Sequence, residues 1–144
     1  MNNMNKLTIG KLAKEAGVGI ETIRYYERRG LISQPPRANH GYRRYPLDTV
    51  RLIRFIRRAK KLGFTLKEIG ELRDLRCVPG VTCDDIRQRA QIKLADIRAR
   101  IEELEKMSRI LSELTESCSF NKGIGECPIL NMIDGQSCLK EEKL

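Results

Sequence analysis

Ile9-Gly10-Lys11-Leu12-Ala13-Lys14-Glu15-Ala16-Gly17-Val18, followed by Glu21-Thr22-Ile23-Arg24-Tyr25-Tyr26-Glu27-Arg28-Arg29-Gly30-Leu31-Ile32, decides the fold. Ile9, Leu12, Ala13 and Ala16 recur at helical spacing behind Thr8, a residue type that caps helix N-termini. Gly17 stops that helix after about two turns, as a C′ glycine does. The second pattern runs from about Glu21 to Arg29 and closes at Gly30. Two short helices about a tight glycine-containing turn form a helix-turn-helix. The second carries Arg24, Tyr25, Arg28 and Arg29, suited to base edges and phosphates. Leu31 and Ile32 follow as an apolar anchor. Tyr26 reads equally as core, because Ile23 and Tyr26 share a face.

Outward from this motif, Pro35-Pro36 and Gly41 break the chain, so Arg37 to Tyr45 is a turn or short hairpin. It carries Arg37, His40, Tyr42, Arg43, Arg44 and Tyr45. Cations and aromatics on a protruding turn suit phosphate and groove contacts. Arg44 and Tyr45 have a second reading, bracing that turn against the next helix. That helix spans about Leu47 to Leu62, with Val50, Ile53, Phe55, Ile56 and Ala59 on its apolar faces, and Gly63 ends it. Thr65 and Glu68 then make a Thr-x-x-Glu capping box for a fourth short helix holding Leu66, Ile69 and Leu72.

The charge agrees. Lys+Arg 28 against Asp+Glu 19 gives +9 over 144 residues, and much of the excess falls before Gly63. A clustered basic face favours a polyanion, nucleic acid or an anionic membrane surface. No run approaches the roughly 18 apolar residues of a membrane span. Met1 to Thr8 has no apolar core of a secretory signal. A cytoplasmic location with reduced thiols is expected, and an odd count of five Cys suits metal or redox chemistry better than a disulfide framework.

Pro79 and Gly80 mark a linker. From Asp84 to about Thr115 there is no Pro or Gly, and strong helix formers dominate. Ala90, Leu94, Ile97, Ile101, Leu104, Ser108 and Leu111 step alternately by 4 and 3 residues, the seam of a coiled coil. A rod of some 30 residues, about 45 Å long, leaves too little chain to cover that seam. A second copy is the simplest cover; folding back on the N-terminal domain is the alternative. After the rod, Ser119 to Glu126 reads as a loop and Pro128 to Ile133 as a short helix with Pro first.

These segments resemble the MerR family of bacterial transcriptional regulators. Gly41-Tyr42-Arg43-Arg44-Tyr45 and Leu62-Gly63-Phe64-Thr65-Leu66-Lys67-Glu68-Ile69 share in the likeness, which covers about Leu7 to Leu75. It implies a mainly α fold: an N-terminal winged helix-turn-helix domain (1–75), a linker (76–83), and a long dimerisation helix (84–116) forming an antiparallel coiled coil. A C-terminal metal-binding loop with a short helix (117–133) and a tail (134–144) complete the chain. The resemblance implies a non-enzymatic homodimer acting on double-stranded promoter DNA and RNA polymerase. DNA contacts are expected from Arg24, Tyr25, Arg28, Tyr42 and Arg43, with Arg24 on a base.

The second half is similar to the mercury-resistance branch of that family. The shared pattern is a cysteine ahead of the rod and a Cys-x8-Cys pair after it, the last followed by Pro: Cys83, Cys118, Cys127 and Pro128. It implies a Hg(II) site made by Cys83 of one subunit with Cys118 and Cys127 of the other. Three soft sulfurs suit a soft cation, whereas structural zinc takes four ligands and no fourth Cys or His accompanies the trio. Cys83 before the rod and Cys127 before Pro128 stand at helix N-termini, which favour negative charge. Asp84 and Asp85 oppose this at Cys83; Lys122 is a candidate compensating charge near Cys118. Lead- or cadmium-responsive regulation and a thiol redox sensor are the rival readings, though no Cys-x-x-Cys in a βαβ context is present. Cys77 and Cys138 fall outside the pattern and read as idle thiols, with auxiliary ligation or metal capture as the alternatives.

Overall fold

Thr8 opens the first helix, α1 (Ile9–Ala16), its side chain accepting from the Lys11 amide at 3.4 Å. At the other end Gly17 adopts φ 68°, and the amides of Gly17 and Val18 close on the carbonyls of Lys14 and Ala13. That is the left-handed glycine cap expected from the sequence. The second helix, α2 (Ile20–Arg28), ends ahead of Gly30, which has φ 73°. α3 spans Asp48–Lys61 and α4 Leu66–Leu75. The computed structural model describes residues 6–39, 41–118 and 123–135. The chain divides into two compact units, Met1–Lys93 and Leu94–Leu144.

Helices of 8 and 9 residues are too short to persist alone, since isolated helices need about 12–15 residues even with favourable composition. Tertiary burial makes the difference. Leu12, Ile23, Ile53, Ile56 and Ile69 are fully enclosed, with Ala13, Ala16, Tyr26, Leu31, Ile32 and Tyr45 around them. Each large aliphatic chain contributes about 1.5–3 kcal/mol when removed from water. Tyr26, whose role the sequence left open, belongs to this core, and burial raises its phenol pKa.

Helix C-termini leave carbonyl groups without intrahelical donors, and arginines from later helices supply them. Arg57 of α3 donates to the Ala16 carbonyl at 3.1 Å, and Arg54 to that of Glu15 at 3.0 Å. Arg73 of α4 donates to the carbonyl of Leu31 at 2.7 Å, just beyond α2. A Cβ on Gly17 would lie 3.2 Å from the Arg57 guanidinium, so this position is constrained by crowding as well as by φ.

One element was not anticipated. Lys6–Leu7 (β1) pairs antiparallel with Tyr45–Pro46 (β2), in the register Lys6↔Pro46 and Leu7↔Tyr45. Two-residue strands show no readable alternation, and the partners lie far apart in sequence. The pairing ties the end of the protruding turn to the chain just before α1. Within that turn Arg37 and Arg43 form an isolated antiparallel bridge, and the Gly41 amide donates to the Ala38 carbonyl at 3.1 Å. The hairpin reading of this segment is observed; His40 lies outside the described residues.

The Thr65 hydroxyl accepts from the Glu68 amide at 3.3 Å, and the Glu68 carboxylate accepts from the Thr65 amide at 2.8 Å. This is the reciprocal capping box read from the sequence. Glu68 also pairs with Lys93 at 2.8 Å, and Lys93 lies over the Phe64 ring at 5.8 Å. A second ion pair joins Arg89 to Glu71. α4 is thereby fastened to the first turns of the long helix α5 (Cys83–Ser117).

α5 starts one residue earlier than the sequence reading placed it. The Thr82 amide and hydroxyl both donate to the Asp85 carboxylate, at 2.7 and 2.9 Å. Capping by this pair makes Cys83 the first helical residue instead of the one before. In the second unit, Leu94, Ile97, Ile101, Leu104 and Leu111 of the seam are all exposed in the single chain. A single 3-10 turn at Ile124–Glu126, where a loop was expected, leads into α6 (Pro128–Ile133), with Pro in its first turn as anticipated.

The Lys93 ammonium and the Thr65 amide hold the Glu68 carboxyl below its ordinary pKa. A depressed folded pKa adds stability above the unfolded value and loses it as pH falls through the folded value. Glu68→Gln preserves the capping-box geometry while removing the charge. It should lower stability at pH 7 by a few tenths to about 1 kcal/mol. On acidification towards about pH 3 the difference from the unaltered chain should narrow. Urea unfolding at both pH values checks this, and a difference that grew on acidification would contradict it.

Candidate functional site

α2 and the following hairpin enclose a cleft of about 540 Å³ lined by Arg24, Glu27, Arg28, Arg37, Tyr42 and Arg43, among others. Four of its side chains are guanidinium groups, and none of these four has a described carboxylate ion pair. Arg24 and Arg28 are exposed one turn apart on α2, on the face opposite the buried Ile23 and Tyr26. Helical periodicity produces this separation: the apolar residues turn inward and the intervening cations turn outward.

Tyr42 sits near the hairpin tip with 76% of its surface exposed. A large aromatic this uncovered packs little against the described residues. The Arg43 Nε is buried, with no hydrogen-bond partner among the described residues. A buried donor without an acceptor is costly in a finished structure. Thus four of the five residues selected from sequence, Arg24, Arg28, Tyr42 and Arg43, line one cleft.

Tyr25 does not line it. Its ring is stacked under the Arg29 guanidinium at 5.5 Å and lies 6.1 Å from Tyr26. It borders the same helix but occupies a different face. Arg37 and Gln34, which the sequence reading left out of its DNA-contact selection, do line the cleft. Their membership depends on the hairpin folding back toward α2, which local patterning does not specify.

Tyr45 settles the other open reading. It is 2% exposed, and its hydroxyl donates to Glu27 Oε1 at 2.5 Å. Burial, and then the Glu27 carboxylate, push its phenol pKa up to about 12. It braces the hairpin against α2 and is not a surface contact. Arg44 is exposed.

The thiols lie in two places. Cys83 is the exposed first residue of α5, in the first unit. In the second unit, Cys118 follows the last residue of α5, its amide donating to the Thr115 carbonyl at 3.3 Å. Cys127 is the partly buried N-cap of α6, its carbonyl accepting from the Asn131 amide at 3.0 Å. All three are free thiols, and so is the exposed Cys77. Among the described residues of a single chain, no three Cys, His, Asp or Glu converge as a metal-binding group. Cys138 and Lys122 lie outside the described residues. No described helix is long and apolar enough to cross a membrane.

Residues 7–75 match the family described as MerR HTH family regulatory protein, and residues 50–114 match the family described as MerR, DNA binding. The mercuric resistance operon regulatory protein of Pseudomonas fluorescens is 41% identical over 138 residues, covering 96% of this chain and 94% of that protein. Among solved structures, PbrR691 from Ralstonia metallidurans CH34 in complex with lead(II) is similar with TM-score 0.77 and 33% identity, covering 88% of this chain and 98% of that one. MerR of Bacillus megaterium MB1 in complex with mercury(II) is similar with TM-score 0.66 and 41% identity, covering 89% and 99%. The chain belongs to the MerR family of helix-turn-helix transcriptional regulators.

Proposed function

We propose that this regulator responds to Hg(II) through three thiolates, those of Cys83 from one subunit and of Cys118 and Cys127 from its partner. The single observation that carries the reading is the placement of free thiols at Cys83, Cys118 and Cys127 about α5, in a chain 41% identical to a mercuric resistance regulator. A continuous helix of 35 residues rises about 1.5 Å per residue. In this reading the sulfur at the start of α5 and those that follow its end come from different chains, as the family resemblance implies.

The exposed seam of Leu94, Ile97, Ile101, Leu104 and Leu111 supports the second half of that arrangement. Two copies laid antiparallel would cover it and bring the start of each α5 beside the end of the other. The donor set fits the ion: three soft sulfurs and no imidazole, on residues at or next to helix ends. Cys83 is the first residue of α5 and Cys127 the N-cap of α6.

The DNA-binding cleft supplies the other function. Arg24 reads a base edge, while Arg28, Tyr42 and Arg43 hold phosphates, with Tyr25 at the edge of the same surface. Without metal the dimer occupies a palindrome in a promoter and represses it. Metal binding selects a dimer shape that bends and untwists the promoter so that RNA polymerase reads both of its elements. The ion pairs Glu68–Lys93 and Glu71–Arg89 join the base of α5 to α4 and would carry a movement of the rod into the DNA-binding head. Action on a promoter places the protein in the bacterial cytoplasm.

Single Cys83→Ser, Cys118→Ser and Cys127→Ser substitutions should each abolish the transcriptional response to mercury while metal-free operator binding persists. Reporter assays with electrophoretic mobility shifts measure both; full response in all three variants would refute the site. The lead(II)-bound relative favours testing a second metal. Competition titration should find Hg(II) held more tightly than Pb(II) or Cd(II), and displacement of mercury by either would reassign the inducer.

Arg24→Ala should cost roughly 1–3 kcal/mol in operator affinity and relax selectivity at one base position. An unchanged preference across an operator mutant panel would give Arg24 a phosphate role instead. Affinity should also fall steeply with added salt, because phosphate contacts release counterions; a flat dependence would argue against the arginine-lined cleft as the contact surface.

A further inference from the structure

Cys77 has no part in the three-thiolate reading, yet it stands close in sequence to Cys83. The seven residues Arg76 to Thr82 connect α4 to α5. Between the two cysteines, Val78-Pro79-Gly80-Val81 closes a turn, with the Val81 amide donating to the Val78 carbonyl at 3.4 Å. Gly80 has φ 85°. Pro at the second position and a positive-φ Gly at the third are the signature of a type II turn, which reverses the chain. Cys77 and Cys83 therefore lie on the two limbs of one reversal.

Both limbs are anchored. The Cys77 amide donates to the Asp74 carbonyl at 3.0 Å, continuing the end of α4. Cys83 is fixed as the first residue of α5 by the Thr82–Asp85 cap. The carboxylates that follow Cys83 are already engaged: Asp85 accepts from Thr82, and Asp84 pairs with Arg87 at 3.6 Å. Both cysteines are free and exposed. Two accessible thiols thus flank one short turn.

We infer that Cys77 and Cys83 of the same chain form a second, two-thiolate site on the Pro79–Gly80 turn that captures a thiophilic cation such as Hg(II). The inference deepens the mercury-responsive reading and gives Cys77 a role outside the three-thiolate set. Binding exchanges sulfurs without redox change. A cation carried by two monothiols takes the Cys77 and Cys83 sulfurs, and the two displaced monothiols leave carrying the two protons. Two thiols on one turn compete at high effective concentration, so free monothiols do not readily strip the ion. Because Cys83 belongs to both sites, an ion held here already has one of the sulfurs that the inter-subunit site uses.

The experiment uses the full-length chain carrying Cys118→Ser and Cys127→Ser, which removes the pair proposed to come from the partner. Mercuric chloride is added in the presence of millimolar glutathione, and native mass spectrometry counts bound ions, with circular dichroism reporting the fold. One mercury per chain should be retained, and adding Cys77→Ser or Cys83→Ser should weaken retention at least tenfold. Retention of no mercury by the Cys118→Ser/Cys127→Ser chain would overturn the inference. So would retention that survives Cys77→Ser, or one ion per two chains bridging them. Ultraviolet absorption of the bound ion should show two-coordinate sulfur ligation, and a three-coordinate spectrum would also count against the pair. Failure of the mercury-responsive reading is separable, because it appears as loss of promoter response in the unaltered chain whatever this turn retains.

Discussion

Two helices of eight and nine residues cannot hold their shape in water, and that constraint governs the DNA-binding half of the molecule. Their inward faces must be covered and their exposed carbonyl ends must find donors. α3 and α4 do both, with Ile53, Ile56 and Ile69 filling the centre and Arg54, Arg57 and Arg73 reaching the ends of the motif. The arginines thus divide by task. Those on α3 and α4 that point back at carbonyls are structural, whereas Arg24, Arg28, Arg37 and Arg43 have no carboxylate ion pair among the described residues.

The long helix sets the complementary constraint. None of its residues is buried in the single chain, and its apolar seam runs to within a few residues of its end. A rod with that surface has no stable existence as a lone element, so partner and sensor are aspects of one arrangement. Cys83 begins the rod and Cys118 follows it, and in the proposed antiparallel dimer those ends would meet.

Much of this was legible in the sequence. Thr8, Gly17, Thr65 with Glu68, and Pro128 each announced a helix boundary by local chemistry, and each stands where that chemistry placed it. The heptad spacing gave the seam directly. Less was legible where distant residues meet. The β1–β2 pairing joins two residues to two others across most of the DNA-binding domain. Gln34 and Arg37 enter the cleft only because the hairpin folds back. Tyr45 could have been a contact or a brace until its burial and the Glu27 partner decided the matter. The first residue of α5 shifted because Asp85, read from sequence as a charge opposing a thiolate, is occupied as a cap. For the thiols, spacing and residue type nominated Cys83, Cys118 and Cys127, while their convergence on one ion belongs to the proposed dimer.

The hydrogen bond from Tyr45 to Glu27 has a consequence for protein design. It locks the jaw formed by α2 and the hairpin to a set opening, so groove reading is a property of the pair. Grafting a relative's α2 surface onto this scaffold without a carboxylate at position 27 would strand a buried phenol and let the jaw gape. A transplant of specificity must therefore carry both residues, as a single cassette.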